Sequence, residues 1–140
     1  MTTDEFKVYL HEVAGDFYPS LDVETDIDAW CDRMSQYGTL LTECDSASGR
    51  PIGILSGYFN RVEQGYAFIS IFHVRQEARC KGVGRNLMDR AAIYAKSRGF
   101  AALRLNVKKN NYNAISFYKR YGFKEIGWDD KRHFMEHNLI

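Results

Sequence analysis

Val74-Arg75-Gln76-Glu77-Ala78-Arg79-Cys80-Lys81-Gly82-Val83-Gly84-Arg85-Asn86-Leu87 ends a strand, turns on two glycines and opens a helix. The preceding residues Tyr66–Val74 are dense in aromatic and β-branched side chains, as in a strand. Beyond the turn, Val83, Leu87, Met88, Ala91, Tyr94 and Ala95 recur at helical spacing, and Gly99 is a stop. A strand, a glycine turn and a helix start present bare backbone N–H groups to an anion. The glycines remove Cβ atoms from the path of approach, and the helix dipole favours negative charge. Arg79, Lys81 and Arg85 add full positive charges, so the expected ligand is a phosphate or pyrophosphate.

Two phosphate motifs are excluded. A P-loop needs Gly-Lys-Ser/Thr, but here Lys81 precedes Gly82 and no Ser/Thr follows. A dinucleotide fingerprint needs a third glycine where Leu87 stands. The form Arg79-x-x-Gly82-x-Gly84, led in by an apolar strand, resembles the acetyl-CoA signature of the GCN5-related N-acetyltransferase (GNAT) superfamily, Arg/Gln-x-x-Gly-x-Gly/Ala. The turn taken alone also reads as an ordinary basic strand-to-helix turn.

A second element follows in the order the superfamily shows. Leu103–Val107 alternates like a strand and leads into the polar turn Lys108–Asn113, whose asparagines suit capping. Ala114, Ile115, Phe117 and Tyr118 then share a helical face, with Gly122 as C-terminal glycine and Phe123–Gly127 as a new strand. The superfamily's second signature is Asn-x-x-Ala-Ile-x-Phe-Tyr followed by Gly-Phe. Asn111, Ala114, Ile115, Phe117, Tyr118, Gly122 and Phe123 fit it. The resemblance covers roughly residues 36–138 and is weakest over the first 35.

The composition suits one domain over residues 1–140: 45% hydrophobic and 14% aromatic residues suffice for a packed core. A net charge of +1 argues against nucleic acid or an anionic membrane as partner. The local cluster of Arg75, Arg79, Lys81, Arg85 and Arg90 suits a small polyanion instead, with Arg90 and Arg75 also readable as charges on a solvated helix face. Cys31, Cys44 and Cys80 match neither a zinc site nor a disulfide framework, so no metal is expected and a cytoplasmic setting is the simplest account. No apolar run approaches membrane-spanning length, and Met1–Glu5 is acidic, unlike a signal peptide.

Phe6, Tyr9, Leu10 and Val13 mark a first helix ending near Gly15; Asp26, Ile27, Trp30 and Met34 mark a second, stopped by Gly38. The aromatic loop Phe17–Val23 between them closes the core or, by the resemblance, walls the acceptor pocket. Thr39–Cys44 and Ile52–Phe59 read as a hairpin about Asp45–Arg50, Glu63–Gly65 as a turn, and His133–Leu139 as a closing strand. The expected fold class is α/β (α+β): a mixed, mostly antiparallel sheet with helices on both faces.

The resemblance implies further detail. The strand ending at Val74 and the strand Leu103–Val107 would splay apart. The pantetheine arm of acetyl-CoA would lie in that wedge and pair with backbone near Phe72, His73 and Val74. The pyrophosphate would sit on N–H groups from Lys81 through Gly82, Val83 and Gly84 to Arg85, with Arg79 adding charge and Asn111 holding the second loop and reaching the cofactor. Tyr118 would place its hydroxyl beside the sulfur. A thiol of pKa about 8.5 leaves more readily when a donor meets the thiolate; a phenol near 10 is the weaker acid by about 2 kcal/mol, so hydrogen bonding rather than full proton transfer is expected. The alternative for Tyr118 is a core tyrosine.

The general base is less defined. An alkylamine of pKa about 10.4 must shed a proton at neutral pH, at a cost of about 4–5 kcal/mol. Phe68 stands where some protein-modifying relatives carry glutamate. Glu63, Tyr66, Ser70 and His73 are the alternatives, acting directly or through water, with Ser70 taken as the catalytic candidate beside Tyr118. Strand alternation puts Ser70 and His73 on opposite faces, and His73 also reads as a packed strand histidine. The expected activity is acetyl-CoA-dependent N-acetylation of a primary amine, with the missing carboxylate favouring a small molecule such as an amino sugar. A protein or peptide amine acetyltransferase and a non-catalytic acyl-CoA-binding module are the alternatives, and a homodimer stays open.

Overall fold

Helix α1 (Thr3–Val13) begins on a capping box: the Thr2 hydroxyl accepts from the Glu5 N–H, and the Glu5 carboxylate accepts from the Thr2 N–H. The computed structural model that shows this describes residues 1–140. The inward face of α1 is Phe6, Tyr9, Leu10 and Val13, as the periodicity requires. The aromatic loop is less irregular than expected, because Leu21–Glu24 forms a one-turn helix, α2. Helix α3 (Ile27–Tyr37) is capped by Asp26, which accepts from the Ala29 N–H, and it ends at Gly38.

The remaining elements alternate. Strands β1 (Thr39–Cys44), β2 (Pro51–Tyr58) and β3 (Tyr66–Val74) precede helix α4 (Val83–Ser97). Strand β4 (Ala102–Lys108), helix α5 (Tyr112–Tyr121), strand β5 (Lys124–Trp128) and strand β6 (Arg132–Asn138) complete the chain. The sheet runs β1-β2-β3-β4-β6-β5. Only β3 and β4 pair in parallel, with α4 as their crossover, and every other pairing is antiparallel. No helix is long and apolar enough to cross a membrane.

Two cores result. Leu87, Met88, Ala91 and Ala95 of α4 and Tyr118 of α5 pack with Leu55, Ala67, Ile69, Leu103, Leu105, Val107 and Met135 on one sheet face. The inward faces of α1 and α3 pack with Ile54 and Ile71 on the other. Neighbouring Ile54 and Leu55 thus serve opposite cores, the period-two rule in its simplest form.

That rule breaks in β3, with consequences for function. Ser56 of β2 pairs with Ile71, whereas its neighbour Gly57 pairs with Ile69, so Ser70 is an extra, unpaired residue: a β-bulge. A side chain at Gly57 would run into the Phe68 carbonyl, so the close approach there needs glycine. Before the bulge Ala67 and Ile69 face the α4 side; after it Ile71 faces the α1 side. Alternation counted across Ser70 therefore does not assign faces, so the counting argument for Ser70 and His73 does not carry across the bulge. Ser70 is exposed, and His73 is buried against α1.

The bulge also starts the wedge. The β3–β4 ladder runs from Tyr66–Ala102 to Ile69–Leu105 and stops. Beyond it β3 continues along β2 as far as Val74, and β4 continues along β6 as far as Lys108. The two strands therefore diverge from Ser70 onward, each keeping its outer partner and losing its inner one.

Candidate active site

The glycine turn follows β3 directly. A 3-10 turn (Gln76–Ala78) leads to Arg79, to Cys80 in the left-handed region at φ 61°, and to Gly82 at φ 82°. Gly82 is the N-cap of α4 and supplies no side chain, so the first N–H groups of a 15-residue helix have no side-chain acceptor. The two glycines have different reasons. At Gly82 an added Cβ would meet nothing within 4 Å, and the positive φ demands glycine. At Gly84 an added Cβ would lie 3.2 Å from Phe72 Cζ and 3.5 Å from Phe117 Cε2. Gly84 thus lets α4 seat on the aromatic cluster below the wedge, a packing role that the sequence expectation of a cleared ligand path omitted.

The basic residues also divide. Arg79, Lys81 and Arg85 are exposed around the turn, with the Arg85 guanidinium 5.5 Å from the Tyr121 ring centroid. Arg75 does not belong to this cluster. It is buried, donates from Nε to the Pro51 carbonyl at 2.8 Å, and lies 4.3 Å from the Tyr9 ring centroid. Arg90 holds β1 through the Thr42 carbonyl and Glu43.

The backbone of the splayed strand can be oriented from one bond. The Arg75 N–H donates to the Ile52 carbonyl of the segment paired with β3, at 2.8 Å. In extended chain the N–H and C=O of successive residues point to alternate sides, so Val74 and Phe72 turn theirs toward the wedge. These are two of the residues expected to pair with the pantetheine. The Val74 carbonyl already has a donor: Arg79 Nε, at 3.0 Å.

His73, the third, turns its side chain the other way. Its Nε2 lies 2.8 Å from an Asp16 carboxylate oxygen, and its Nδ1 lies 2.9 Å from the Tyr9 hydroxyl. Asp16 only accepts, so the ring proton sits on Nε2 and the Tyr9 O–H donates to Nδ1. Burial holds the pKa of His73 below its ordinary 6.5, with Asp16 opposing. Both ring nitrogens are committed, so His73 reads as a packed, hydrogen-bonded strand histidine.

Tyr118 has its ring locked among Phe123, Phe117 and Phe72, with centroids 5.6, 5.8 and 6.1 Å away. Its hydroxyl makes no hydrogen bond, and no fully buried side-chain polar atom in the protein lacks a partner, so this oxygen is reached from outside. Burial of the residue raises the phenol pKa, which keeps the proton on oxygen. Asn111 caps α5 by accepting from the Ala114 N–H at 3.4 Å. Ser70 stands at the origin of the wedge. Glu63 and Tyr66 do not reach the splayed half, since Glu63 precedes β3 and Tyr66 belongs to its paired end, beneath the Arg104 guanidinium. Phe68 lies on the paired stretch, just before the bulge.

The segment from Asp16 to Glu24 bridges the two splayed strands. Asp16 and Phe17 attach it to His73 on β3, the rings of Phe17 and His73 being 5.6 Å apart. Lys108, the last residue of β4, donates to the Tyr18 carbonyl at 3.2 Å and pairs with Glu24 at 2.7 Å. Sequence reasoning misses Asp16, Glu24 and Lys108. None carries a local pattern that marks it, because its partner lies far away in the chain.

Comparison with known proteins agrees with this geometry. A sequence profile described as the acetyltransferase (GNAT) family matches residues 7–123, reaching further toward the N-terminus than the sequence motifs do. An uncharacterised N-acetyltransferase of Methanocaldococcus jannaschii is 32% identical over 100 residues, covering 69% of this chain and 43% of that protein. The chain spans less than half the length of the curated relatives it matches. The crystal structure of nourseothricin acetyltransferase superposes with a TM-score of 0.69 at 25% identity, covering 76% of this chain and 68% of the other. An aminoglycoside 6'-N-acetyltransferase solved with coenzyme A shares the fold at a TM-score of 0.77, over 99% of this chain and 91% of the other, at 14% identity. The splayed parallel pair, the helix that starts at Gly82 beside it and these matches together place the chain in the acetyltransferase (GNAT) family.

Proposed function

We propose that this protein transfers the acetyl group of acetyl-CoA to a primary amine of a small molecule such as an amino sugar, by direct attack within a ternary complex. The observation that carries the reading is the end of the β3–β4 ladder at Ser70. It leaves the N–H and C=O of Phe72 and Val74 facing a wedge whose outer end meets the uncapped start of α4. An extended amide-bearing arm fits the first as an added strand, and a pyrophosphate fits the second. Acetyl-CoA supplies both, together with an activated thioester.

Each residue then has a task. Val83, Gly84 and Arg85 offer N–H groups to the pyrophosphate, with Lys81 and Arg79 adding charge. Asn111 holds the turn between β4 and α5. When the amine forms its bond to the acetyl carbon and the C–S bond breaks, negative charge grows on sulfur, and the Tyr118 O–H donates to it. The amine's proton leaves through water at the bulge beside Ser70, because the paired stretch offers Phe68 in place of a carboxylate and His73 is committed elsewhere. The small-molecule preference rests on that missing carboxylate and on the nourseothricin acetyltransferase, which is named for a small-molecule acceptor.

The test is free thiol released from acetyl-CoA across a panel of amino sugars, other small amines and peptide N-termini. Release above the hydrolysis rate with small amines is expected. Release with peptides alone would change the acceptor class. Binding of acetyl-CoA with no release for any amine would make the protein a sensor, and no melting-temperature shift at millimolar acetyl-CoA would remove the co-substrate itself.

A further inference from the structure

The Val74 carbonyl and the Arg79 side chain are both assigned to acetyl-CoA above, yet in the ligand-free protein they bind each other. Val74 turns its carbonyl into the wedge, where β4 has diverged and no strand supplies a donor. Arg79 Nε supplies one at 3.0 Å. The other end of the guanidinium is held by charge, with its Nη2 3.7 Å from an Asp16 carboxylate oxygen. Asp16 is itself anchored, because the same oxygen accepts from the buried His73 at 2.8 Å, and His73 in turn accepts from buried Tyr9. The parking place of Arg79 is therefore a fixed one, built from α1, β3 and the segment that follows α1.

We infer that Asp16 and Arg79 are specificity-determining residues which make the pantetheine groove conditional on a pyrophosphate. The inference rests on the proposed acetyl-CoA site and adds to it a preference between ligands. An amide of the pantetheine arm needs the Val74 carbonyl and must displace Arg79 from it. A ligand carrying pyrophosphate at the start of α4 gives the displaced guanidinium a new anionic partner, stronger than the neutral carbonyl it left. Pantetheine alone gives it none, and its apparent affinity is reduced by the fraction of molecules in which the carbonyl is occupied. Asp16 deepens the bias by holding Arg79 in the parked position. Short acyl-pantetheine thioesters are thereby discriminated against relative to acyl-CoA.

Isothermal titration of CoA and of pantetheine into wild type, Arg79→Ala and Asp16→Asn tests this. In Arg79→Ala pantetheine binds about three- to tenfold more tightly, the factor that one net hydrogen bond represents, while CoA binds more weakly. In Asp16→Asn the amide oxygen still accepts from His73, the charge is gone, and CoA binds more tightly than to wild type. A residue that merely grips phosphate leaves pantetheine unchanged in Arg79→Ala, and a residue needed for folding weakens both ligands with a lower melting temperature. Either result overturns the inference, as does pantetheine binding to neither protein. Arg79→Met, which keeps the stem and removes the donors, serves as the second variant if alanine lowers the melting temperature. CoA binding with unchanged pantetheine affinity defeats the inference alone; no CoA binding to wild type defeats the proposed site itself.

Discussion

Tyr118 is the residue whose proposed role separates most cleanly from its packing. Its ring is held by Phe72, Phe117 and Phe123, and Tyr118→Phe keeps all of those contacts while deleting one oxygen. A core tyrosine predicts unchanged turnover. A donor to the leaving thiolate predicts kcat lower by about tenfold to a thousandfold with acetyl-CoA affinity little changed, because the bond strengthens only as charge develops. The middle of that range is expected for a partly open wedge. A steady-state titration of both substrates on the folded variant reads the split, and an unaltered kcat removes Tyr118 from the mechanism. Tyr118 is legible in the sequence because a local motif surrounds it. Asp16 is not, since its meaning depends on His73 and Arg79, which only tertiary folding brings to it.

At the scale of elements, the start of α4 tests whether the two glycines act alike. Gly82→Leu strains a left-handed backbone by about 1–2 kcal/mol but points into open space, so the variant folds. It covers the N–H groups, and the melting-temperature rise with acetyl-CoA disappears. Gly84→Leu drives a side chain into Phe72 and Phe117, and overpacking of this kind costs about 1–3 kcal/mol. The ligand-free melting temperature therefore falls further for Gly84→Leu than for Gly82→Leu. Thermal melts of both variants with and without acetyl-CoA check the order; equal losses would mean the turn acts as one unit. β3 teaches the complementary lesson. Its ends are legible in the sequence to the residue, but its bulge is not, because a bulge is a property of register with β2 and Gly57 carries no local sign of it.

For the whole molecule, the α1–α3 layer is joined to the sheet by apolar packing and by the hydrogen-bonded chain from exposed Asp16 through buried His73 to buried Tyr9. Arg75 and Arg79 also face His73, and burial with these charges outweighs the pull of Asp16. The folded-state pKa of His73 is lowered, so the unfolded chain takes up the proton first as pH falls. His73 therefore contributes its full stability above the ordinary value of 6.5 and loses it progressively below that value. Chemical-denaturation midpoints of wild type should fall between about pH 7 and pH 5, and His73→Gln, less stable at neutral pH, should show a shallower fall. Parallel slopes for the two proteins would show that His73 does not govern the acid limb.

The sequence by itself determines the local order of this protein: helices from apolar period, stops from glycine, the hairpin from its polar turn, and the family from two motifs whose residues are contiguous. Those signals act within a few positions of chain, so the sequence carries them whole. The face each β3 residue serves, the point where β3 and β4 part, the separate reasons for Gly82 and Gly84, and the joining of Asp16, His73 and Arg79 are decided only by tertiary structure. Each depends on register or on side chains brought together across the sheet, and a hydrogen bond between residues 57 positions apart leaves no periodic trace in either neighbourhood.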